Sequence, residues 1–92
     1  MTDIEVAKRT RSDGWTCRVL VRDDDGSATE HDVWVSREDL ARLAPGAIDP
    51  IDLVRRSFAF LLERESKDSI LRSFELPEIG RYFPDYERTI AT

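Results

Sequence analysis

The chain has 92 residues, a formal net charge of −5 and 40% hydrophobic residues, which suits one domain over residues 1–92 with a modest core. The acidic balance disfavours non-specific binding to nucleic acid or to an anionic membrane, because both need positive charge. A single cysteine excludes an intramolecular disulfide, and the chain shows neither a signal peptide nor the ~20-residue apolar run of a membrane span, so we expect a cytoplasmic protein.

Alternation of apolar and polar residues predicts three strands in the first part of the chain. They span residues 3–9, 15–22 and 29–35, and turn signals at 11–14 (RSDG) and 23–27 (DDDGS) separate them. Short turns between consecutive strands favour an antiparallel, three-stranded meander.

The length of the second turn decides which side chains share a face of the sheet. A two-residue loop would place the valines of the third strand on the face of Arg18 and Arg22. A three-residue loop with Gly26 in the left-handed conformation aligns the two valine rows instead. We favour the three-residue loop, which leaves Leu20 and Trp34 on the outer face of the sheet.

Two helices are predicted after the strands from their capping signals. Ser36 suits the N-cap of a short helix over residues 37–43. Asp49 suits the N-cap of the main amphipathic helix over residues 50–64, with Pro50 at its first position.

The main helix is apolar on two sides. Leu53 and Phe60 fall almost opposite its principal apolar stripe. That stripe consists of Ile51, Val54, Phe58, Leu61 and Leu62. We expect one side to meet the sheet and the other to be covered by the carboxy-terminal segment or by a second subunit.

The carboxy-terminal third predicts a helical segment in three pieces. The pieces span residues 67–74, 77–83 and 85–90, with corners at Pro77 and Pro84. The predicted fold class is therefore α+β, with a three-stranded meander followed by helices.

Residues that could carry catalysis or bind a metal are sparse. Cys17 lies in an alternating row of apolar residues, as a core thiol would. His31 has no orienting acid on its own face, and metal sites need clustered ligands. Residues 23–27 lack the ligand spacing of a calcium loop. We predict no catalytic residue, no metal and no cofactor, and hence no enzymatic activity.

Residues 77–92 also have a pattern like that of a helix-turn-helix, with a first helix over 77–83, a turn at 84–85 and a second helix from residue 86. DNA contact would fall to Arg81, Tyr86 and Arg88. Acids outnumber bases in this segment, and its last helix would have barely two turns. A DNA-binding regulator is therefore the alternative hypothesis, and nucleic acid is not the favoured partner.

The favoured hypothesis is a non-enzymatic protein that acts through protein contacts, with a homodimer as one form of it. A surplus of large apolar residues usually marks an interface. The predicted interface residues are Leu20, Trp34, Leu53 and Phe60, and the predicted partner contacts are Arg81, Tyr82 and Tyr86.

A family resemblance lies in the carboxy-terminal part of the chain. It is carried by FLLERE at residues 60–65 and ILRSFELPEIGRYFPDYE at residues 70–87. Its pattern ILRxFxLxxIxxYFPxYE resembles that of an uncharacterised family of short bacterial proteins common in actinobacteria. The resemblance covers less than half of the chain. It implies a cytoplasmic bacterial protein, in agreement with the excess of arginine over lysine, and it implies no activity, site residue or cofactor.

Overall fold

The computed structural model describes residues 2–91 and contains a four-stranded mixed sheet. The strands are β1 (Asp3–Arg11), β2 (Gly14–Arg22), β3 (Ala28–Ser36) and β4 (Ser73–Glu75), in the order β1-β2-β3-β4. The first three form the predicted antiparallel meander, and β4 lies parallel to β3. The α+β class is confirmed, whereas the restriction to three strands is wrong.

The helices lie after the meander and on both sides of β4 along the chain. They are α1 (Arg37–Leu43), α2 (Ile51–Leu62), α3 (Ile79–Tyr82) and α4 (Tyr86–Ile90), with single turns of 3-10 helix at Lys67–Ser69 and Leu76–Glu78. The bounds of α1 are those predicted, and α2 is shorter at both ends than the predicted 50–64.

The helix predicted over residues 67–74 is wrong. Lys67–Ser69 forms one 3-10 turn, after which the chain extends into β4. The N–H of Asp32 donates to the carbonyl oxygen of Arg72 at 2.7 Å, so this extended segment pairs with the backbone of β3. Without that partner, the backbone groups along this edge of β3 would be unpaired beneath the helices, which is costly.

The turn between β2 and β3 has the predicted three-residue loop. The N–H of Asp23 donates to the carbonyl oxygen of Ser27 at 2.9 Å, and Gly26 has a φ of 88°. The resulting register sets Cys17 opposite Val33. The two valine rows therefore share the buried face, with Val19, Val21, Val33 and Val35 inaccessible to solvent.

Side chains bond to free N–H groups in the first turns of α1 and α2, near the predicted positions. The hydroxyl of Ser36 accepts a hydrogen bond from the N–H of Asp39 at 3.0 Å. The carboxylate of Asp49 accepts one from the N–H of Ile51 at 3.0 Å. Because α2 begins at Ile51, Pro50 occupies the N-cap position rather than the first helical position.

Helix α2 lies between the sheet and the carboxy-terminal segment. On the sheet side, the ring of Phe58 lies 5.2 Å from that of His31 and 6.0 Å from that of Phe74. On the other side, the ring of Phe60 lies 6.0 Å from that of Phe83 and 5.3 Å from that of Tyr86, in edge-on contact with both. The same chain therefore covers both apolar sides of the helix.

This covering corrects half of the predicted interface. Leu53 is 1% exposed and Phe60 is 4% exposed, so neither side chain offers a surface to another subunit. The physical reason is that the apolar residues after Pro77 wrap onto α2, the intramolecular alternative left open by the sequence.

Tyr86 fixes α4 onto α2 through a buried hydrogen bond. The hydroxyl of Ser57 donates to the carbonyl oxygen of Leu53 at 2.8 Å. Because that hydroxyl has one proton, the hydroxyl of Tyr86 is the donor in its 2.6 Å bond to Ser57. Burial raises the pKa of Tyr86 to about 12. Tyr86 is thus a core residue and not the predicted partner contact.

We expect the substitution Tyr86→Phe to lower the free energy of unfolding by about 1 kcal/mol, because it removes one buried hydrogen bond without changing the packed ring. Urea unfolding measures the change. Tyr82→Phe is the matched control, since Tyr82 is 65% exposed and should lose nothing. Equal effects of the two substitutions would contradict the assigned hydrogen bond.

Gly14 allows the ends of β2 and β3 to approach closely. A Cβ at this position would lie 2.2 Å from the carbonyl oxygen of Val35 and 2.8 Å from the Cα of Ser36. Both are backbone atoms, so the strands themselves would have to separate.

The substitution Gly14→Ala should therefore destabilise the fold by about 2 kcal/mol, as overpacking does. In the control Gly80→Ala, the added Cβ would lie 3.9 Å from the carboxylate of Glu87, an ordinary van der Waals distance. Because alanine favours a helix, this control should be neutral or slightly stabilising. Thermal unfolding of the two variants, side by side, distinguishes the outcomes.

Candidate functional site

An apolar groove of about 260 Å³ opens between the carboxyl end of α2, the segment that enters β4, and α3. We call it the β4–α3 groove. Its buried floor includes Leu61, Ile70, Phe74 and Ile79. Its more accessible lining includes Glu65, Leu71, Glu78 and Tyr82. Leu71 is 48% exposed and Tyr82 is 65% exposed, so two large apolar side chains face solvent at the same groove.

His31 holds the segment that carries Leu71. Its Nδ1 lies 2.7 Å from the carbonyl oxygen of Leu71, and its Nε2 lies 2.8 Å from the hydroxyl of Thr29. A carbonyl oxygen only accepts, so Nδ1 carries the proton, and the Thr29 hydroxyl donates to Nε2. Burial lowers the pKa of His31 and outweighs the hydrogen bond to Leu71, which raises it. A neutral, buried imidazole thus fixes the backbone of Leu71 against β3.

The ionisable residues that line the groove, apart from Tyr82, are acidic. They are Glu65 and Glu78. A carboxylate oxygen of Glu78 accepts a hydrogen bond from the N–H of Glu75 at 2.8 Å, which orients that side chain. Burial raises the pKa of the Glu65 carboxyl.

A second depression lies beside the groove on the outer face of the sheet. It has a volume of about 330 Å³ and shares Phe74 and Glu78 with the groove. Trp34 lines it together with the carboxylates of Asp32, Glu75 and Glu78. We call the groove and this depression together the acidic surface.

The acidic surface has a single sign of charge. Its acidic lining residues are Asp32, Glu65, Glu75 and Glu78, and neither lysine nor arginine lines either depression. Asp32 is paired with Arg18 at 2.7 Å, so its charge is the most neutralised of the four. The surface therefore combines apolar and aromatic side chains with a negative potential.

Leu20 and Trp34, predicted to share an interface, lie half-buried on the outer face of the sheet. Acidic residues lie opposite Leu20 on both neighbouring strands. The Arg18–Asp32 ion pair lies between Leu20 and Trp34 along the hairpin. The two side chains therefore do not form one apolar patch, and Trp34 belongs to the acidic surface instead.

Of the predicted partner contacts, Tyr82 lines the groove and the neighbouring Arg81 is exposed. Sequence reasoning missed Leu71, Glu65 and Glu78. A signal for Leu71 was available, because an extended segment that enters a sheet buries only one of two consecutive apolar residues. Here Ile70 is buried and Leu71 is not.

The helix-turn-helix hypothesis finds little support in the geometry. Helices α3 and α4 have four and five residues, whereas a recognition helix must cross a major groove. Two ion pairs involve α4. Asp85, just before the helix, pairs with Arg64, and Glu87, within it, pairs with Arg42. These pairs hold α4 on the protein surface and place acidic side chains where phosphates would approach.

Cys17 lacks the surroundings of a reactive thiol. Burial raises its pKa to about 11, so the thiol is protonated at neutral pH. Within residues 2–91, no group of three or more potential metal ligands lies close together.

Among the helices of the described part of the chain, none has the length and apolar character needed to cross a membrane.

Comparisons with protein-family models, curated proteins and solved structures find no match. The resemblance of residues 70–87 to short actinobacterial proteins accordingly stays a hypothesis.

His31 should give the fold a defined pH dependence. Its folded pKa is lowered from about 6.5, so the unfolded chain binds more protons in the interval between the two values. His31 therefore does not reduce the free energy of unfolding above about pH 6.5. Below that pH the free energy of unfolding falls as the pH drops towards the folded pKa.

Urea unfolding at about pH 7.5 and about pH 5.5 measures this dependence. We expect the wild type to lose stability at the lower pH and His31→Gln to lose less. The raised pKa of Glu65 acts with the opposite sign, and the comparison of the two proteins removes its contribution. If His31→Gln loses as much stability between the two pH values as the wild type does, the pH dependence comes from other groups.

Proposed function

We propose that this chain is a non-enzymatic binding protein that recognises another protein through the acidic surface. The segment recognised would insert a large apolar side chain into the β4–α3 groove and carry lysine or arginine on either side of it. One observation supports this best: exposed Leu71 and Tyr82 flank an apolar groove whose charged lining residues are acidic.

The size of the groove favours a side chain over a free small molecule. Its volume of about 260 Å³ lies below the range of about 300–1,000 Å³ that is usual for small-molecule sites. A groove of this size holds one or two apolar side chains, and its open rim leaves room for the peptide backbone that carries them. The size of the groove therefore favours a binding role over catalysis.

Charge selects the partner. Clefts lined by one sign of charge attract the opposite sign and raise association rates. The chain as a whole carries −5, so the field of the protein acts in the same direction as the field of the groove. A basic, amphipathic segment satisfies both the apolar floor and the acidic rim, whereas nucleic acid satisfies neither. We place this function in the bacterial cytoplasm, as the sequence predicts.

The proposal can be tested with two short synthetic peptides that share a central tryptophan. One carries arginines on both sides of it, and the other carries glutamates. Titration into the isotopically labelled protein, followed by NMR, should shift the amide signals of residues 69–82 with the arginine peptide only. Added salt should weaken the binding, because the attraction between exposed charges is screened.

Substitutions in the groove separate the apolar from the electrostatic contribution to peptide binding. Leu71→Ser should weaken binding of the arginine peptide by about tenfold, the loss expected for an exposed apolar anchor. Glu65→Gln should weaken it by about threefold, as for a rim charge. Ile48→Ser is the matched control, because Ile48 is 91% exposed but does not line the groove. Equal binding of both peptides, or an effect of Ile48→Ser as large as that of Leu71→Ser, would contradict the proposal.

A further inference from the structure

β1 is an edge strand of nine residues, and no described strand pairs with its other side. Its pairing with β2 is continuous from Asp3 to Arg11, so its backbone is regular. An edge of this kind presents a row of unpaired N–H and C=O groups, which is a template for a further strand.

The charges of β1 are segregated along the strand. The acids Asp3 and Glu5 lie in its first half, and the bases Lys8, Arg9 and Arg11 lie in its second half. In an antiparallel pair of two copies, the first half of one strand lies beside the second half of the other. The strand is therefore complementary in charge to itself in the antiparallel orientation, whereas a parallel, in-register pair would align like charges.

One register uses this complementarity best. With Ala7 opposite its own copy, Asp3 lies opposite Arg11 of the second copy, and Glu5 lies opposite Arg9. Directly opposed residues share a face, so these pairs would lie on the outer side of the sheet. A shift of the centre to residue 6 sets Glu5 opposite Ala7, and a shift to residue 8 sets Lys8 opposite itself. Both shifts lose favourable pairs.

Three of the four charges needed for this contact are free to make it. Asp3, Arg9 and Arg11 are exposed. Within residues 2–91, the ion pairs of β1 use Glu5, with Arg22 at 3.5 Å, and Lys8, with Asp49 at 3.5 Å. The other three charges have no ion-pair partner in the described chain.

An exposed apolar residue lies near the same strand. Ile48 is 91% exposed and precedes Asp49, which is paired with Lys8. The residue next to the ion-pair partner of Lys8 therefore presents a large apolar side chain to solvent.

We infer that two copies of the chain associate through β1, in an antiparallel, two-fold symmetric pair centred on Ala7. The contact joins the two sheets into one continuous sheet. A single pair of strands makes a small interface, and exposed ion pairs contribute little each. The association is therefore weak, concentration-dependent and weakened by salt.

Charge reversal tests the register in solution. Asp3→Arg and Arg11→Asp each place like charges opposite one another in both symmetric positions, so each variant alone should dimerise at least about tenfold more weakly than the wild type. An equal mixture of the two variants restores opposite charges at both positions and should form heterodimers. Sedimentation at low salt, from about 1 μM to about 1 mM protein, measures all three samples.

Disulfide trapping tests the same register independently. In Ala7→Cys, the introduced thiols of the two copies are directly opposed and should form a linked dimer on mild oxidation. In the control Thr10→Cys, which leaves every proposed charge pair in place, the two copies of the residue are offset by six positions, about 20 Å, and should not be linked. The native Cys17 is buried, with a pKa raised to about 11, so it should not react.

Three outcomes would overturn the inference. The first is a monomeric mass for the wild type across the whole concentration range. The second is a dimer that neither charge reversal weakens, and the third is equal linking of Ala7→Cys and Thr10→Cys. None of these results bears on peptide binding in the β4–α3 groove, whose lining residues lie outside β1.

Discussion

The two apolar sides of α2 are the constraint on which the carboxy-terminal half of this structure depends. One side meets the buried face of the sheet through Phe58, and the other carries Leu53 and Phe60. Exposure of both residues would cost about 3–6 kcal/mol, a large part of the stability of a small domain. The chain after α2 must therefore return across the helix. It first pairs with β3 through β4 and then places Phe83 and Tyr86 on Phe60.

The β4–α3 groove is a consequence of that return path. Between β4 and α4 the chain has a 3-10 turn, the four residues of α3 and three connecting residues, which are too few to cover the space beside Leu61 and Phe74. The hydrogen bond from His31 to the carbonyl of Leu71 keeps the entering segment in place, so the groove cannot close by local rearrangement of that segment. The contacts that complete the core therefore also leave a groove open at the surface, with an apolar floor and an acidic rim.

The elements predictable from the sequence are those decided by nearby residues. Gly26 decided the hairpin loop, and with it the register of β2 and β3. Ser36 and Asp49 marked the starts of α1 and α2 within one residue. In each case the deciding interaction spans no more than a few residues, so the local pattern contains the information.

β4 could not be predicted in this way, because the interaction that forms it is distant in sequence. Residues 70–76 have apolar spacing compatible with a helix, and the pairing of Arg72 with Asp32 crosses 40 positions of the chain. The candidate site inherits this difficulty. Tyr82 was predicted as a contact from its aromatic character alone, but Leu71 joins it only because β4 forms.

The order of the strands relates the two proposed surfaces to each other. β1 and β4 are the opposite edges of the sheet, and the acidic surface lies along β4 while the inferred self-association uses β1. A pair of chains joined at β1 would therefore carry one acidic surface at each outer end, with neither blocked by the contact. Such a pair could bind two basic segments of one partner at once, and the second binding step would gain from the effective concentration set by the first. Weak binding at each groove and weak pairing at β1 would then strengthen each other. A partner with two basic segments would stabilise the pair of chains, and the pair would bind that partner more tightly than a single chain does.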